Sequence, residues 1–504
     1  MPVCPIHGRP RGRRAVRPVY SPDKAEDVLI DATFALPHPP SITRSKGSTP
    51  IRWTPERAPQ VVSTRGVLKA SDPKLFAKVE KARRAGMVRS VFAPADPGIF
   101  YDPTEVWNWS WDDVDSVIVQ YSGGKDSLAA LLWVLGSGAP KGKVQLWHQN
   151  VDGAVGSDNV ASFDWPVTHQ YLEATAQHFS LPLYLQFIEE GFGGELIRLG
   201  KHSAPMWAQD RTPRNRLRWI STGERRAGGL EGRKFGVPAQ IPDMRKRWCS
   251  AVLKIEPSRW AQRELTRENL EGSDGSVSAG MLAPSRFKRS ARRLKRIEKT
   301  YRELRRHGMR EAQARKIAER PQFLVVTGER RSESANRALY HTLQPEPGVA
   351  NQTRLAVRWR PVLHLTDEEV YSLIRENDLQ VHPAYELGYG RCSCYGCVFA
   401  GPREFATMAQ VNPGVFKRLA ALEKQLKSMG RPRWALKGDD KKQPSLKEVT
   451  GAAKPYERTF WFERFAEKAA GREPFTVDDM VRPKALSWVL PLGYLAGSSG
   501  GPPT

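Results

Sequence analysis

Residues 117–128, VIVQYSGGKDSL, constrain the fold of this 504-residue chain more than any other segment. The β-branched run Val117-Ile118-Val119 predicts a buried strand. Ser122-Gly123-Gly124-Lys125-Asp126-Ser127 follows as a Gly-rich turn, and the apolar run Leu128–Leu135 predicts a helix. Adjacent glycines permit φ > 0 and close backbone approach, so consecutive amides can point at one anion. The helix N-terminus adds partial positive charge there. Lys125 adds a full charge, and Ser122 and Ser127 add hydroxyl donors. Together they form a device for holding a polyphosphate. It is not the Walker loop, which needs two glycines separated by four residues ahead of Lys-Ser/Thr. A purely structural strand-to-helix turn would have no use for the lysine.

The pattern repeats down the chain. Val117–Tyr121, Val144–Gln149, Leu183–Phe187 and Phe323–Val326 read as strands, with Arg360–His364 as a candidate fifth, and helical stretches separate them. Such alternation predicts the α/β class, a doubly wound parallel sheet with ligands at the strand C-termini. The chain divides into a basic, Pro/Arg/Ser-rich N-terminal extension (1–110) and a first part of the α/β core (111–261). A basic helical insertion (262–320) follows, then the second part of the core with a cysteine cluster (321–402) and a helical C-terminal region with a flexible tail (403–504). Within the extension, Met1–Pro59 reads as largely disordered and Leu68–Arg89 as one helix; Trp107, Trp109 and Trp111 alternate just before the core. Ser273–Pro284 reads as a Gly/Ser-rich linker.

Charge enters at the insertion. Arg286–Arg320 carries fifteen Lys or Arg against four Glu, in a chain of formal net charge +25. That excess favours an anionic partner, nucleic acid first, through 286–320 and the arginine-rich N-terminal arm; a solvated basic face is the competing reading. Five cysteines in 504 residues make no disulfide framework. No secretory h-region or membrane-length apolar run occurs, so a soluble, cytoplasmic chain without a membrane partner is expected.

Two further constellations carry chemistry. Thr327-Gly328-Glu329-Arg330-Arg331-Ser332-Glu333 through Arg337 follows a short buried-type strand, which puts it on the same rim as the Gly-rich turn. Arg330, Arg331 and Arg337 can bind phosphate or sulfate bidentately, and Glu333 can orient an arginine or a ribose hydroxyl. Asp152, at the end of the next strand, is placed to contact adenosine. The cysteines form the other constellation. Cys392, Cys394 and Cys397 lie within six residues, a spacing that favours metal over disulfide, and Cys249 can supply a fourth thiolate. Four thiolates suit a [4Fe–4S] cluster or structural Zn²⁺ equally. Cys4 with His7 has no visible second half.

In order, SGGKDS, RWC…K…P (Cys249, Lys254, Pro257), TGxRxxES…R (Gly328, Arg330, Arg337) and RPV…HPxY…GxxRCxC..C (His382, Tyr385, Cys392) resemble the phosphoadenosine phosphosulfate (PAPS) reductase family of PP-loop ATP pyrophosphatases. The resemblance spans about residues 115–410 and is nearest the DndC-like and phage-borne branch. It implies the adenine nucleotide alpha-hydrolase-like fold, with ATP, PAPS or adenosine phosphosulfate (APS) held on Ser122, Gly123, Gly124, Lys125, Asp126 and Ser127. It further implies cleavage or adenylation at the α-phosphate in sulfur transfer or nucleic-acid modification, with a sulfur-donor protein as a partner. Lys125 and the loop amides would stabilise the leaving pyrophosphate, Asp126 would position Mg²⁺ or close the turn, and Arg330 and Arg337 would hold the second anionic group. The chain departs from the reductases in ending without a cysteine tail, its last cysteine being Cys397, and in having Cys249-Ser250 where cluster-bearing relatives pair two cysteines. Sulfonucleotide reduction would therefore need an external thiol. A nucleic-acid-binding protein on an inactive PP-loop scaffold is the reading from another class.

Overall fold

The computed structural model describes residues 110–154, 163–197, 203–223, 248–334, 337, 340, 342–392, 394–397, 399–428, 445–482 and 490–495. The expectations for Met1–Pro59, Leu68–Arg89, Trp107, Trp109, the Cys4/His7 pair and the C-terminal tail fall outside these residues.

An eight-stranded sheet organises the rest, in the order β5-β4-β3-β2-β1-β8-β10-β9. Its strands are β1 (Ser116–Gln120), β2 (Val144–Asn150), β3 (Leu183–Ile188), β4 (Met206–Arg211), β5 (Leu217–Ser221), β8 (Gln322–Val326), β9 (Leu343–Pro345) and β10 (Leu355–Trp359). The five central strands, β3-β2-β1-β8-β10, run parallel, and antiparallel strands extend both edges. Strands sandwiched between helices bury both faces and so read as continuous apolar runs. Val117, Ile118 and Val119 of β1 and Phe323 and Val326 of β8 are fully buried. From β1 the chain winds outward through β2 and β3, then returns to lay β8 on the other side of β1, pairing Val119 with Val326. That reversal is a topological switch point, where the C-terminal ends of β1 and β8 leave a crevice for ligand.

The helices that shape this crevice are α1 (Lys125–Gly136), α2 (Thr168–Phe179), α3 (Gly191–Ile197), α4 (Glu256–Glu264), α5 (Ala291–Arg306), α6 (Glu311–Ala318), α7 (Asp367–Glu376), α8 (Pro402–Val411), α9 (Pro413–Ser428) and α10 (Phe460–Ala469). The apolar run after the Gly-rich turn leaves α1 buried almost all round, and α7 packs against it. The C-terminal residues brace the crevice from outside. Gln380 N–H donates to Met480 O at 2.9 Å, and Arg482 pairs with the buried Glu386 at 3.2 Å.

Two sequence expectations shift. The fifth parallel strand is Leu355–Trp359, not Arg360–His364, which forms a turn. Pro361 lacks an N–H for a ladder, whereas LAVRW is an almost uninterrupted buried run. The linker read at Ser273–Pro284 instead contributes to a small hairpin, β6 (Leu270–Glu271) with β7 (Val277–Ser278). Beyond it, α5 and α6 form a helical hairpin around their own cluster of Leu304, Met309, Ala314 and Ile317.

Candidate active site

The SGGKDS residues occupy the switch point. Gly123 adopts φ +79°, a conformation that glycine takes at no steric cost. Gly124 then caps α1 with no side-chain hydrogen bond of its own. Ser127 Oγ donates to Gly124 O at 2.8 Å and lies 3.3 Å from Ser122 Oγ, which pins the turn. From β8, Gly328 lies so close that a Cβ there would sit 2.5 Å from the carbonyl carbon and oxygen of Asp126. The two strand ends thus pack backbone to backbone, and only glycine permits it.

Four charged side chains meet at this junction. Lys125 Nζ lies 3.0 Å from Asp126 Oδ2 and 2.9 Å from Asp367 Oδ1. Arg330 Nε donates to Asp126 Oδ1 at 2.6 Å, and its Nη2 to Asp367 Oδ1 at 2.8 Å. Lys125 is buried, at 5% exposure, and not in an exposed loop as its Gly-rich context suggests, because it is the first residue of α1 under Asp367. Burial works to raise the Asp126 and Asp367 carboxyls, but Lys125 and Arg330 outweigh it and hold both below the usual carboxylate range. Burial opposes charge on Arg330 too, and its two carboxylate neighbours more than restore it. The cluster carries two positive and two negative charges.

Sequence reasoning missed Asp367. Its signal is the Thr366-x-x-Glu369 capping box, which sets Asp367 at the first position of α7. Tyr385 also reaches the loop, where its hydroxyl accepts the Lys125 N–H at 3.0 Å. His382 caps the same turn through Nδ1, and burial lowers its pKa to about 3, so it is a neutral structural group.

The remaining expected residues divide. Glu333 Oε2 accepts the Arg330 N–H at 2.8 Å and pairs with Arg337, so Glu333 orients the arginines. Asp152 accepts the amides of Phe163 at 2.7 Å and Asp164 at 3.1 Å, and its carboxylate therefore organises a loop. That loop builds the cysteine site. Phe163 O accepts the Gly396 N–H at 3.3 Å, and Tyr395 stacks on Trp165 at 4.0 Å.

Cys249, Cys394 and Cys397 converge electrostatically on Lys254, with Asp164 beside them, although more than 140 residues separate the first from the others. Lys254 lies on a π-helical turn, Ala251–Ile255, leading into α4; such turns often mark functional sites. Burial pushes the thiols of Cys392, Cys394 and Cys397 up, which keeps them protonated beside the Lys254 ammonium. Cys392 leans the other way, toward the loop: a Cβ on Gly124 would lie 3.7 Å from its own. The four thiols have the donor chemistry of a metal or cluster site. Their spacing differs, since no group of three Cys, His, Asp or Glu among the described residues is arranged to hold a metal ion. As arranged they do not fit an iron–sulfur cluster or zinc, and no chemical step is derived through either.

A doubly wound sheet with a lysine- and arginine-lined, Gly-rich turn at its switch point is an α/β arrangement whose crevice is the usual place for a ligand in this fold class. Residues 236–400, about a third of the chain, match the family model described as the phosphoadenosine phosphosulfate reductase domain. Solved structures similar to this chain include the phosphoadenylyl-sulfate (PAPS) reductase of Candida auris in its phosphate complex, at 13% identity and TM-score 0.23, covering 62% of this chain and 91% of that one. The FMN adenylyltransferase of Candida glabrata, in complex with FMN and the ATP analog AMPCPP, is another, at 12% identity and TM-score 0.24, covering 65% and 68%. Likeness this low assigns nothing to this chain. Among curated proteins, none matches. No described helix is long and apolar enough to cross a membrane.

Proposed function

We propose that the chain is a PP-loop enzyme that binds ATP at Ser122–Ser127 and directs attack at the α-phosphorus, releasing pyrophosphate. The observation that supports this most is the Lys125–Asp126–Arg330–Asp367 cluster at the switch point, whose two cations are buried. An acceptor oxygen attacks the α-phosphorus, the bond to the bridging oxygen breaks, and the acceptor leaves adenylated. Lys125, Arg330 and the N-terminal amides of α1 stabilise the charge that builds on the departing pyrophosphate. Asp126 is engaged by both cations, so its role is to position Lys125 and Arg330, and Mg²⁺ would arrive on the nucleotide phosphates. A nucleic acid is the acceptor class this reading favours; a sulfur donor would then displace AMP from the adenylated acceptor, with Cys249, Cys392, Cys394 and Cys397 as the thiol centre.

A second reading, reduction of a sulfonucleotide, draws on the position of Cys392 beside Gly124 and on the family match. It requires an external thiol to supply electrons. Pyrophosphate release from ATP separates the two. Lys125→Ala should abolish release while circular dichroism still reports a folded protein. Wild-type release by that folded variant would sink the PP-loop mechanism.

A further inference from the structure

We propose that a cavity at the N-terminal edge of the sheet binds the phosphates of a single-stranded nucleic acid. The cavity measures about 570 Å³, and its walls include Asp115, Lys143, Tyr184, Arg211, Arg286 and Phe287. Asp115 precedes β1 and Lys143 precedes β2, so the cavity opens at the end of the sheet opposite Ser122–Ser127. The length of β1 and its flanks separates the two sites, on the order of 20 Å.

Its cations are held but not neutralised. Arg286 Nη1 donates to the carbonyls of Arg211 at 2.8 Å and Ala279 at 3.1 Å, and Nη2 to that of Thr212 at 3.3 Å. Arg211 Nε donates to Tyr184 Oη at 2.8 Å, and its Nη1 to Asn215 Oδ1 at 2.8 Å. Lys143 Nζ donates to the carbonyls of Trp111 at 2.6 Å and Val114 at 2.8 Å. None of the three forms an ion pair with a carboxylate among the described residues. Asp115 lines the cavity and lies near Lys143, but Arg289 and Arg293 stand 3.9 Å from it and it accepts the Gln322 N–H at 2.7 Å. Asp115 is thus engaged by Arg289 and Arg293 as well as lying near Lys143, and it is the one carboxylate lining the cavity. Carbonyl anchors orient a cation without discharging it, which leaves preorganised donors for an anion.

The charge continues outside the cavity. Lys141, Arg214, Arg216 and Lys288 are exposed, and each adjoins a lining residue in sequence. A track longer than one phosphate favours a strand over a mononucleotide, and the half-buried Phe287 offers an aromatic ring beside it. The basic helix α5, by contrast, directs Arg292 and Arg296 onto Asp113, each at 3.1 Å, while Arg302 pairs with Glu298 at 2.8 Å. Much of its charge fastens the insertion to the core and to itself.

The test is a fluorescence-anisotropy titration of the full chain with a labelled single-stranded DNA oligonucleotide across a salt series. Each phosphate contact on a single strand contributes about −0.7 to the slope of log K against log salt. Arg214→Gln/Arg216→Gln, on an exposed turn, should flatten the slope by about 1.4 and leave pyrophosphate release from ATP unchanged. Arg286→Gln should flatten it by about 0.7 and weaken binding at every salt. Because Arg286 is anchored in the fold, the exposed double variant decides if Arg286→Gln does not fold. Unchanged affinity and slope in the double variant would overturn the proposal. So would loss of binding only when Lys295, Lys299 and Arg306 on the exposed side of α5 are replaced. Binding of AMP but not of the oligonucleotide, abolished by Arg286→Gln, would overturn the strand in favour of a small phosphorylated ligand.

Discussion

Asp367→Asn should tighten anion binding at the Ser122–Ser127 loop, the reverse of what deleting a binding-site residue usually does. Asp367 Oδ1 lies 2.9 Å from Lys125 Nζ and 2.8 Å from Arg330 Nη2, the two cations proposed to receive the pyrophosphate group. The cluster is neutral, so an arriving phosphate must displace a carboxylate or add uncompensated negative charge. Asp126 is wedged between Lys125 and Arg330, whereas the Asp367 side chain is 51% exposed and free to swing into water. Exposed pairs are worth about 0.2–1 kcal/mol each. Releasing two such pairs should improve affinity by about 0.4–2 kcal/mol, or roughly 2- to 30-fold at about 1.4 kcal/mol per factor of ten. Isothermal titration with inorganic pyrophosphate, without Mg²⁺, reads this directly. Lys125→Ala is the control and should bind at least tenfold more weakly, since it removes contacts worth about 1.5–3 kcal/mol. Unchanged or weaker pyrophosphate binding by Asp367→Asn would refute the idea that Asp367 occupies the phosphate position.

Gly328→Ala should lower the urea midpoint by an amount equivalent to about 1–3 kcal/mol and impair nucleotide binding, because its Cβ would meet Asp126 backbone at 2.5 Å; a midpoint equal to wild type would show that the strand ends can part freely. Stability should also fall with acid through Glu329, which pairs with Arg360 at 2.5 Å. Burial pushes its carboxyl up, but Arg360 and Arg358 outweigh this and hold it at about 2, against an ordinary 4.5. A depressed folded pKa stabilises the protein above the unfolded value, and that contribution disappears as pH falls from about 4.5 to about 2. Thermal melts should show this slope in wild type and a shallower one in Glu329→Gln. Finally, the visible spectrum of anaerobically purified protein tests the thiols around Lys254: a broad band near about 400 nm that vanishes in Cys394→Ser would bring a cluster into the chemistry, and a featureless spectrum together with no bound zinc by elemental analysis would leave the cysteines as thiols.

The sequence by itself determined the elements whose environment is uniform. Four of the five parallel strands were legible because a strand buried on both faces must be apolar throughout, and the strand-turn-helix at SGGKDS was legible because the turn takes a φ of +79° at Gly123 that glycine adopts without strain. The C-x-C-x-x-C spacing suggested one metal site for Cys249, Cys392, Cys394 and Cys397, but among the described residues no group of three is arranged to hold a metal ion. The fifth strand slipped by five residues because Arg360–His364 and Leu355–Trp359 have similar apolar content, and only the ladder, which Pro361 cannot join, separates them. Tertiary structure decided the rest. Asp367 and Tyr385 reach the loop across some 240 to 260 residues, and no local pattern marks which carboxylate or hydroxyl will fold back onto an amide or an ammonium. Lys254, quoted only as part of a motif, becomes the centre of the thiol site because a π-helical turn carries it there. Asp152, which resembles a ligand contact by its place at a strand end, spends both oxygens on loop amides. Charge number is a property of composition, but whether a charge is spent on a neighbour or left for a ligand depends on which side chains the fold brings within about 4 Å. That is why the fifteen cations of 286–320 announced themselves in the sequence, while the unneutralised three at Lys143, Arg211 and Arg286 emerged only from the packing of the sheet's opposite edge.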